Sequence, residues 1–306
     1  MTVKATIKGQ EVTLNYDSAT GQYKASVTAP SDSSYQNNEG HYFPVSITAT
    51  DDAGNSTTIS DTQGGFTENL KLYVKERIVP KVTGISPSSD ANVITSNPTF
   101  EFTVLDNANG QASGFSGINP DTISLVINGL AVDNSAIEKT PVTGGYSCTY
   151  TPVVAIPDGT CTFTVQVSDY DENQSDLVTT SFKVDTAPPA LDITYPTNDM
   201  YTNESQIEVI GTTSDTTSSP VEVVITVNGK DQGDVEISAD GSFRKTITLD
   251  DGTNTIKITS TDRAGKISTV TKTVYLKTSA PIFKSVRIEP NPVDHGQTYT
   301  IYVEVE

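Results

Sequence analysis

The chain has 306 residues, with 19 Lys or Arg against 38 Asp or Glu, for a net charge of −19. That balance excludes a nucleic-acid footprint, which needs a basic face, and electrostatic attachment to an anionic membrane. A hydrophobic share of 35% and many short alternating runs, without a sustained 3.6-residue apolar period, exclude a helix-rich fold.

Taken in order, VKATIKGQEVTLNYD predicts two short strands around the turn Lys8-Gly9-Gln10. Gly21-Gln22 opens a strand over Tyr23 to Ala29. Another covers Tyr42 to Thr50 and runs into Asp51-Asp52-Ala53-Gly54-Asn55. Leu70, Leu72 and Val74 line one face of the strand that closes this first unit. The start, Met1-Thr2-Val3, enters a strand pattern at once, which leaves no room for a signal peptide. The expectation is a protein not exported by that route, or one whose leader has been removed. No apolar run approaches the length of a transmembrane span.

Repetition then sets the domain plan. A closing strand, a short polar run and proline recur at Val74 to Pro80, Val184 to Pro189 and Leu276 to Pro281, a pattern expected of stiff junctions. A repeat head, apolar residue then proline then a polar turn, recurs at Ile85-Ser86-Pro87, Ile193-Thr194-Tyr195-Pro196 and Ile288-Glu289-Pro290. Asn128-Gly129 and Asn228-Gly229 each end a strand in a hairpin turn that favours positive φ. Gly145-Tyr146 and Gly241-Ser242-Phe243 each start one, and the aromatic residue is expected to plug the sandwich end. Asp250 to Lys266, DDGTNTIKITSTDRAGK, has an earlier version at Gly40 to Ser56 and a divergent one at Asp158 to Ser175. The expected fold is all-β: tandem β-sandwiches over residues 1–79, 80–185 and 186–279, then a strand segment over 280–306.

These motifs carry a resemblance to tandem bacterial immunoglobulin-like domains. It covers nearly the whole chain and is closest in the third unit; the second replaces the D-x-A-G turn with Asp169-Tyr170-Asp171-Glu172-Asn173, and the first lacks the I-x-P head. The first unit and the tail IEPNPVDHGQTYTIYVEVE also resemble Ig-like segments associated with tails of phages of Gram-positive bacteria. The resemblance implies a non-enzymatic structural or attachment protein: an elongated spacer or decoration module of a phage tail or phage-like particle, located in the virion. The alternatives are an extracellular or cell-surface adhesin fragment and an accessory module of a polysaccharide-active enzyme. The implied partners are other structural proteins, a second copy through the C-terminal strand, or a cell-surface glycan, with no nucleic acid and no membrane insertion.

Candidate chemistry is sparse. His41 and His295 are the two histidines, both in turn-like surroundings, and no H-E-x-x-H, Cys-x-x-Cys or phosphate loop occurs. No catalytic residue and no required cofactor are expected. Calcium is the metal considered, because turns rich in Asp and Asn offer oxygens; Asp169, Asp171 and Asp176 form the best cluster. The competing reading is that such residues favour turns by bonding their own backbone. Asp51 and Asp262 lie in equivalent turns and Asp185 in a linker, but Arg263 and Lys266 put positive charge beside Asp262 and argue against calcium there. Tyr35, Tyr170 and Tyr201 fall in loops and are the candidates for a carbohydrate platform. Cys148 and Cys161 flank a turn; without an oxidising compartment, two buried thiols are expected in place of a bridge.

Overall fold

The computed structural model describes residues 1–63, 65–106 and 114–306. They fold into mostly antiparallel sheets, two with a short parallel edge strand, that make two compact units, Met1–Val184 and Asp185–Glu306. The all-β, tandem immunoglobulin-like reading holds. Among the described residues no helix is long and apolar enough to cross a membrane.

The second unit contains the most regular sandwich. One sheet joins Ala190–Tyr195, Gln206–Ser214 and Ser242–Thr248; the facing sheet runs Met200–Thr202, Ile267–Leu276, Gly252–Thr261, Glu222–Val227, Lys230–Asp231. Strict alternation in Gly252–Thr261 sends Asn254, Ile256, Ile258 and Ser260 inward, all fully buried. The two isoleucines share one core with Val209, Phe243, Ile247 and Ile225. The strand start at Gly241 is forced by geometry: φ is +82°, and a Cβ there would lie 2.2 Å from the Thr213 carbonyl oxygen.

Residues 81–184 of the first unit repeat this plan. Lys81–Ser86, Phe100–Leu105 and Gly145–Tyr150 lie in one sheet; Ser124–Ile127, Gly159–Gln166 and Val178–Val184 lie in the other. Phe100 makes edge-on contacts with Phe163 at 4.9 Å and Phe182 at 5.8 Å, so three aromatic rings bridge the sheets. Cys148 and Cys161 come from opposite sheets and are buried, separate thiols in this core.

Both Asn-Gly turns have the expected backbone, with φ of 49° and 80° at Asn128-Gly129 and 51° and 81° at Asn228-Gly229. The asparagine also serves a second purpose. Asn128 Oδ1 accepts the Thr162 amide and Asn228 Oδ1 accepts the Thr255 amide, each at 2.9 Å, which pins the hairpin to the next long strand. Lys8-Gly9 adopts the same conformation, with φ of 49° and 75°.

The segment before residue 80 is different. Its strands form a single sheet in the order Gln22–Lys24, Gln10–Asp17, Thr2–Ile7, Phe43–Thr50, Ser56–Ile59, with Lys71–Leu72 paired to Phe43–Thr50. Its buried apolar side chains are few: Val3, Ala5, Phe43, Leu70 and Val74. The strand expected over Tyr23 to Ala29 is regular only over Gln22–Lys24. The reason is a pairing partner. The corresponding strand of the second unit, Ser242–Thr248, is held by seven residue pairs to Gln206–Ser214. Among the described residues no such strand pairs with 25–29.

At the other end, Phe283–Glu289 and Thr300–Val305 form a two-stranded hairpin whose side chains are all exposed. It has the make-up of Ala190–Tyr195 with Gln206–Ser214, down to the head proline, which follows a cis peptide bond at Pro196 and at Pro290 alike.

Candidate metal centre

Three turns that the sequence aligns are alike in space. The amide of Asn55 reaches Asp51 Oδ1 at 2.8 Å, that of Asn173 reaches Asp169 Oδ1 at 2.8 Å, and that of Lys266 reaches Asp262 Oδ1 at 2.9 Å. In each, the aspartate amide also bonds the carbonyl four residues on. At least one carboxylate oxygen per turn is therefore used locally, as the backbone-bonding reading predicts, and in the first two the side-chain amides of Asn55 and Asn173 also reach Oδ2, at 2.9 and 2.8 Å.

The surroundings then separate the three. Asp51 is exposed. Asp169 is buried and meets two further acids, Glu76 and Asp106, so that one oxygen of each lies within 4.8 Å of the other two. Asp262 is buried and meets Asp185 and Asp215 with the same spacing. The positions match. Asp106 directly follows the strand Phe100–Leu105, and Asp215 directly follows Gln206–Ser214. Glu76 and Asp185 stand in the polar runs after Val74 and Val184. Each cluster thus takes one acid from a junction, one from the end of the second long strand and one from the turn.

In the first unit the partners are mostly backbone. Glu76 Oε2 accepts the Ile78 amide, and its Oε1 accepts the Asn173 side-chain amide at 2.9 Å. Asp106 Oδ2 accepts the Gly117 amide at 2.6 Å, and its Oδ1 is buried without a partner. Burial pushes the Glu76 carboxyl up to about 7, helped by Asp169 and Asp106 and opposed by the Ile78 amide. Burial likewise raises Asp106 to about 6, against the Gly117 amide and with the aid of Asp169 and Asp171. The cause is negative charge gathered out of water.

The second cluster is more stripped still. Asp185 is 0% exposed and neither of its carboxylate oxygens has a partner. Asp262 Oδ2 is also buried and unpartnered, as is Ser218 Oγ beside it in the fold, whose carbonyl accepts the Arg263 amide. Asp215 Oδ1 accepts the Thr217 and Ser218 amides at 2.7 and 2.6 Å. Arg263, beside this turn, is exposed, and the Lys266 backbone amide bonds Asp262 Oδ1.

Of the residues expected to gather at Asp169, Asp171 is buried but its Oδ2 is taken by the Glu76 amide at 2.9 Å, and Asp176 is exposed. The sequence reading missed Glu76, Asp106 and Asp215. The signal that would have found Asp106 and Asp215 is an acid directly after the corresponding strand in successive repeats; Glu76 stands at a different offset from its strand than Asp185 does. Among the tyrosines, Tyr35 lies between His41 and Tyr170, with parallel rings 3.9 and 4.3 Å away, so both its faces are covered. Tyr201, in the second unit, is 66% exposed; it stacks on Tyr275 at 4.7 Å, and the Lys277 ammonium lies 5.6 Å from its ring.

Residues 189–278 match the family model of glucodextranase domain B. That match covers the sandwich of the second unit and stops short of the rest of the chain. Among curated proteins no sequence matches. Solved structures with similar folds include the fibronectin(III)-like modules of Clostridium thermocellum CbhA, at 15% identity and a TM-score of 0.36, covering 64% of this chain and 94% of that one. Sidekick-1 immunoglobulin domains 1–5 align at 11% identity and a TM-score of 0.41, over 100% of this chain and 60% of that one. A Bacteroides ovatus glucan-utilisation protein, SGBP-B, in complex with a mixed-linkage heptasaccharide, aligns at 15% identity and a TM-score of 0.22, over 95% of this chain and 65% of that one.

Proposed function

We propose that the chain is a non-catalytic structural and attachment module, an Ig-like spacer of a phage tail or phage-like particle, that joins its neighbours by sharing strands. One observation carries this reading: the hairpin and the first sheet are complementary. The hairpin Phe283–Glu289 with Thr300–Val305 corresponds to the first strand pair of the preceding sandwich, and it exposes Phe283, Val286, Ile301, Val303 and Val305. The first sheet holds the counterparts of the later strands, and residues 25–29, where a strand of that pair would add, are without sheet pairing. A two-stranded hairpin is marginal by itself. Added to the edge at Tyr23 to Ala29 of a second copy, it gains backbone hydrogen bonds and a second layer over Val3, Ala5 and Phe43.

The test is the mass of the assembly in solution. The intact chain is expected to form oligomers by light scattering, and removal of residues 282–306 is expected to leave monomers whose two units still unfold as before. A monomeric intact chain, or an oligomer that survives the deletion, refutes strand sharing.

A second reading has its own support. The match of residues 189–278 to glucodextranase domain B favours an accessory module of a polysaccharide-active protein, outside the cell or at its surface. The exposed Tyr201–Tyr275 stack is the platform such a module would offer to a sugar ring. Affinity electrophoresis in soluble glucans decides it: retardation that Tyr201→Ala weakens about tenfold supports the accessory role, and unretarded migration of the parent chain retires it.

A further inference from the structure

We propose that the chain binds two calcium ions, one on Glu76, Asp106 and Asp169 and the other on Asp185, Asp215 and Asp262. The first argument is recurrence. The same three positions, junction, strand end and turn, converge in two versions of the repeat whose turn sequences differ. Turn chemistry alone accounts for neither case, because Asp51 makes the same turn and remains exposed without such a gathering.

The second argument is the unmet demand of the oxygens. Asp185 is wholly buried with both carboxylate oxygens unpartnered, and Asp106 Oδ1 and Asp262 Oδ2 are buried and unpartnered as well. Buried carboxylates are found paired or coordinating metal, since an isolated buried charge is strongly disfavoured. A cation among the three acids meets that demand at each site.

The chemistry selects the cation. The donors are all hard oxygens, with no histidine or thiolate among them, which disfavours zinc or copper and suits calcium. Two oxygens held at about 2.4 Å by one calcium lie at most about 4.8 Å apart. One oxygen from each of the three acids lies within that reach of the other two at both sites. Bidentate carboxylates, neighbouring carbonyls and water complete the six to eight oxygens that calcium takes. In each site the ion would fasten a junction residue to the ends of strands in the sandwich that follows it.

Calorimetric titration of the chelator-treated full chain with calcium chloride tests the inference. Two ions per chain are expected, one in Asp106→Asn, one in Asp185→Asn and none in the double variant. Asp176→Asn, which alters an exposed acid outside both clusters, is expected to keep two. Thermal melts guard against a variant that merely fails to fold. In chelator Asp185→Asn should melt no lower than the parent, because it removes a buried unpaired charge. With calcium about 100-fold above Kd the parent should gain about 5 to 10 °C in the transition of the second unit, and the variant should not. Binding absent from the parent, or retained in the double variant, overturns the proposal. The readout is independent of oligomer mass, so strand sharing and calcium binding can fail separately.

Discussion

Single residues carry two kinds of information here, and only one was legible in the sequence. Asn128 and Asn228 announce themselves, because an Asn-Gly pair after an alternating strand has a local physical cause in its positive φ. Glu76, Asp106 and Asp215 do not. Their neighbours in sequence are ordinary, and their meaning comes from long-range convergence that one acid among 38 cannot signal. The cysteines fall between these cases: the absence of an export signal suggested buried thiols, while only the fold places them in different sheets around one core. Burial pushes the Cys148 thiol up to about 11, and that of Cys161 up as well. At pH 8 about one Cys148 in a thousand is then a thiolate, the form that reacts. Ellman's reagent should therefore find no reactive thiol in the native chain over minutes and two after denaturation in guanidinium. Rapid labelling of the native protein would contradict the packing of this core.

At the scale of strands and turns, the alternating pattern predicted pairing wherever a partner exists within the chain. Gly252–Thr261 reads as a strand and is one, with Ile256 and Ile258 inward as expected. Tyr23 to Ala29 reads equally well and is regular for only three residues. Propensity fits a residue to a pleated surface, and the ladder still needs a second strand. The turns behave more autonomously. Asn228 combines a φ of 51° with hydrogen bonds from the Thr255 amide to its Oδ1 and from its Nδ2 to Asn254. Asn228→Ala removes these bonds and puts a less tolerant residue in the left-handed region, at a cost of about 2 kcal/mol. Urea unfolding should show a lower midpoint for the second unit at unchanged slope. A loss under about 0.5 kcal/mol would mean that Gly229 alone shapes the hairpin.

For the molecule as a whole, the net charge of −19 acquires structure. Among the described residues six acids converge in two sets of three, five of them buried, and Asp171 is buried as well. The composition showed the excess and hid the sorting, since burial depends on which strand ends meet. The junctions then divide by chemistry. Val74 is followed by Lys75 and Glu76 and Val184 by Asp185, whereas the run from Leu276 to Pro281 holds Lys277 and no acid. That lysine bonds the Thr202 carbonyl through its amide at 2.9 Å and rests its ammonium on the Tyr201 ring. Where each of the two earlier junctions places a buried acid, this one carries a lysine and an aromatic cushion for it. On the calcium proposal, stripping the chain of divalent ions would therefore loosen it selectively, with the step from Leu276 towards the hairpin left indifferent to the ionic medium.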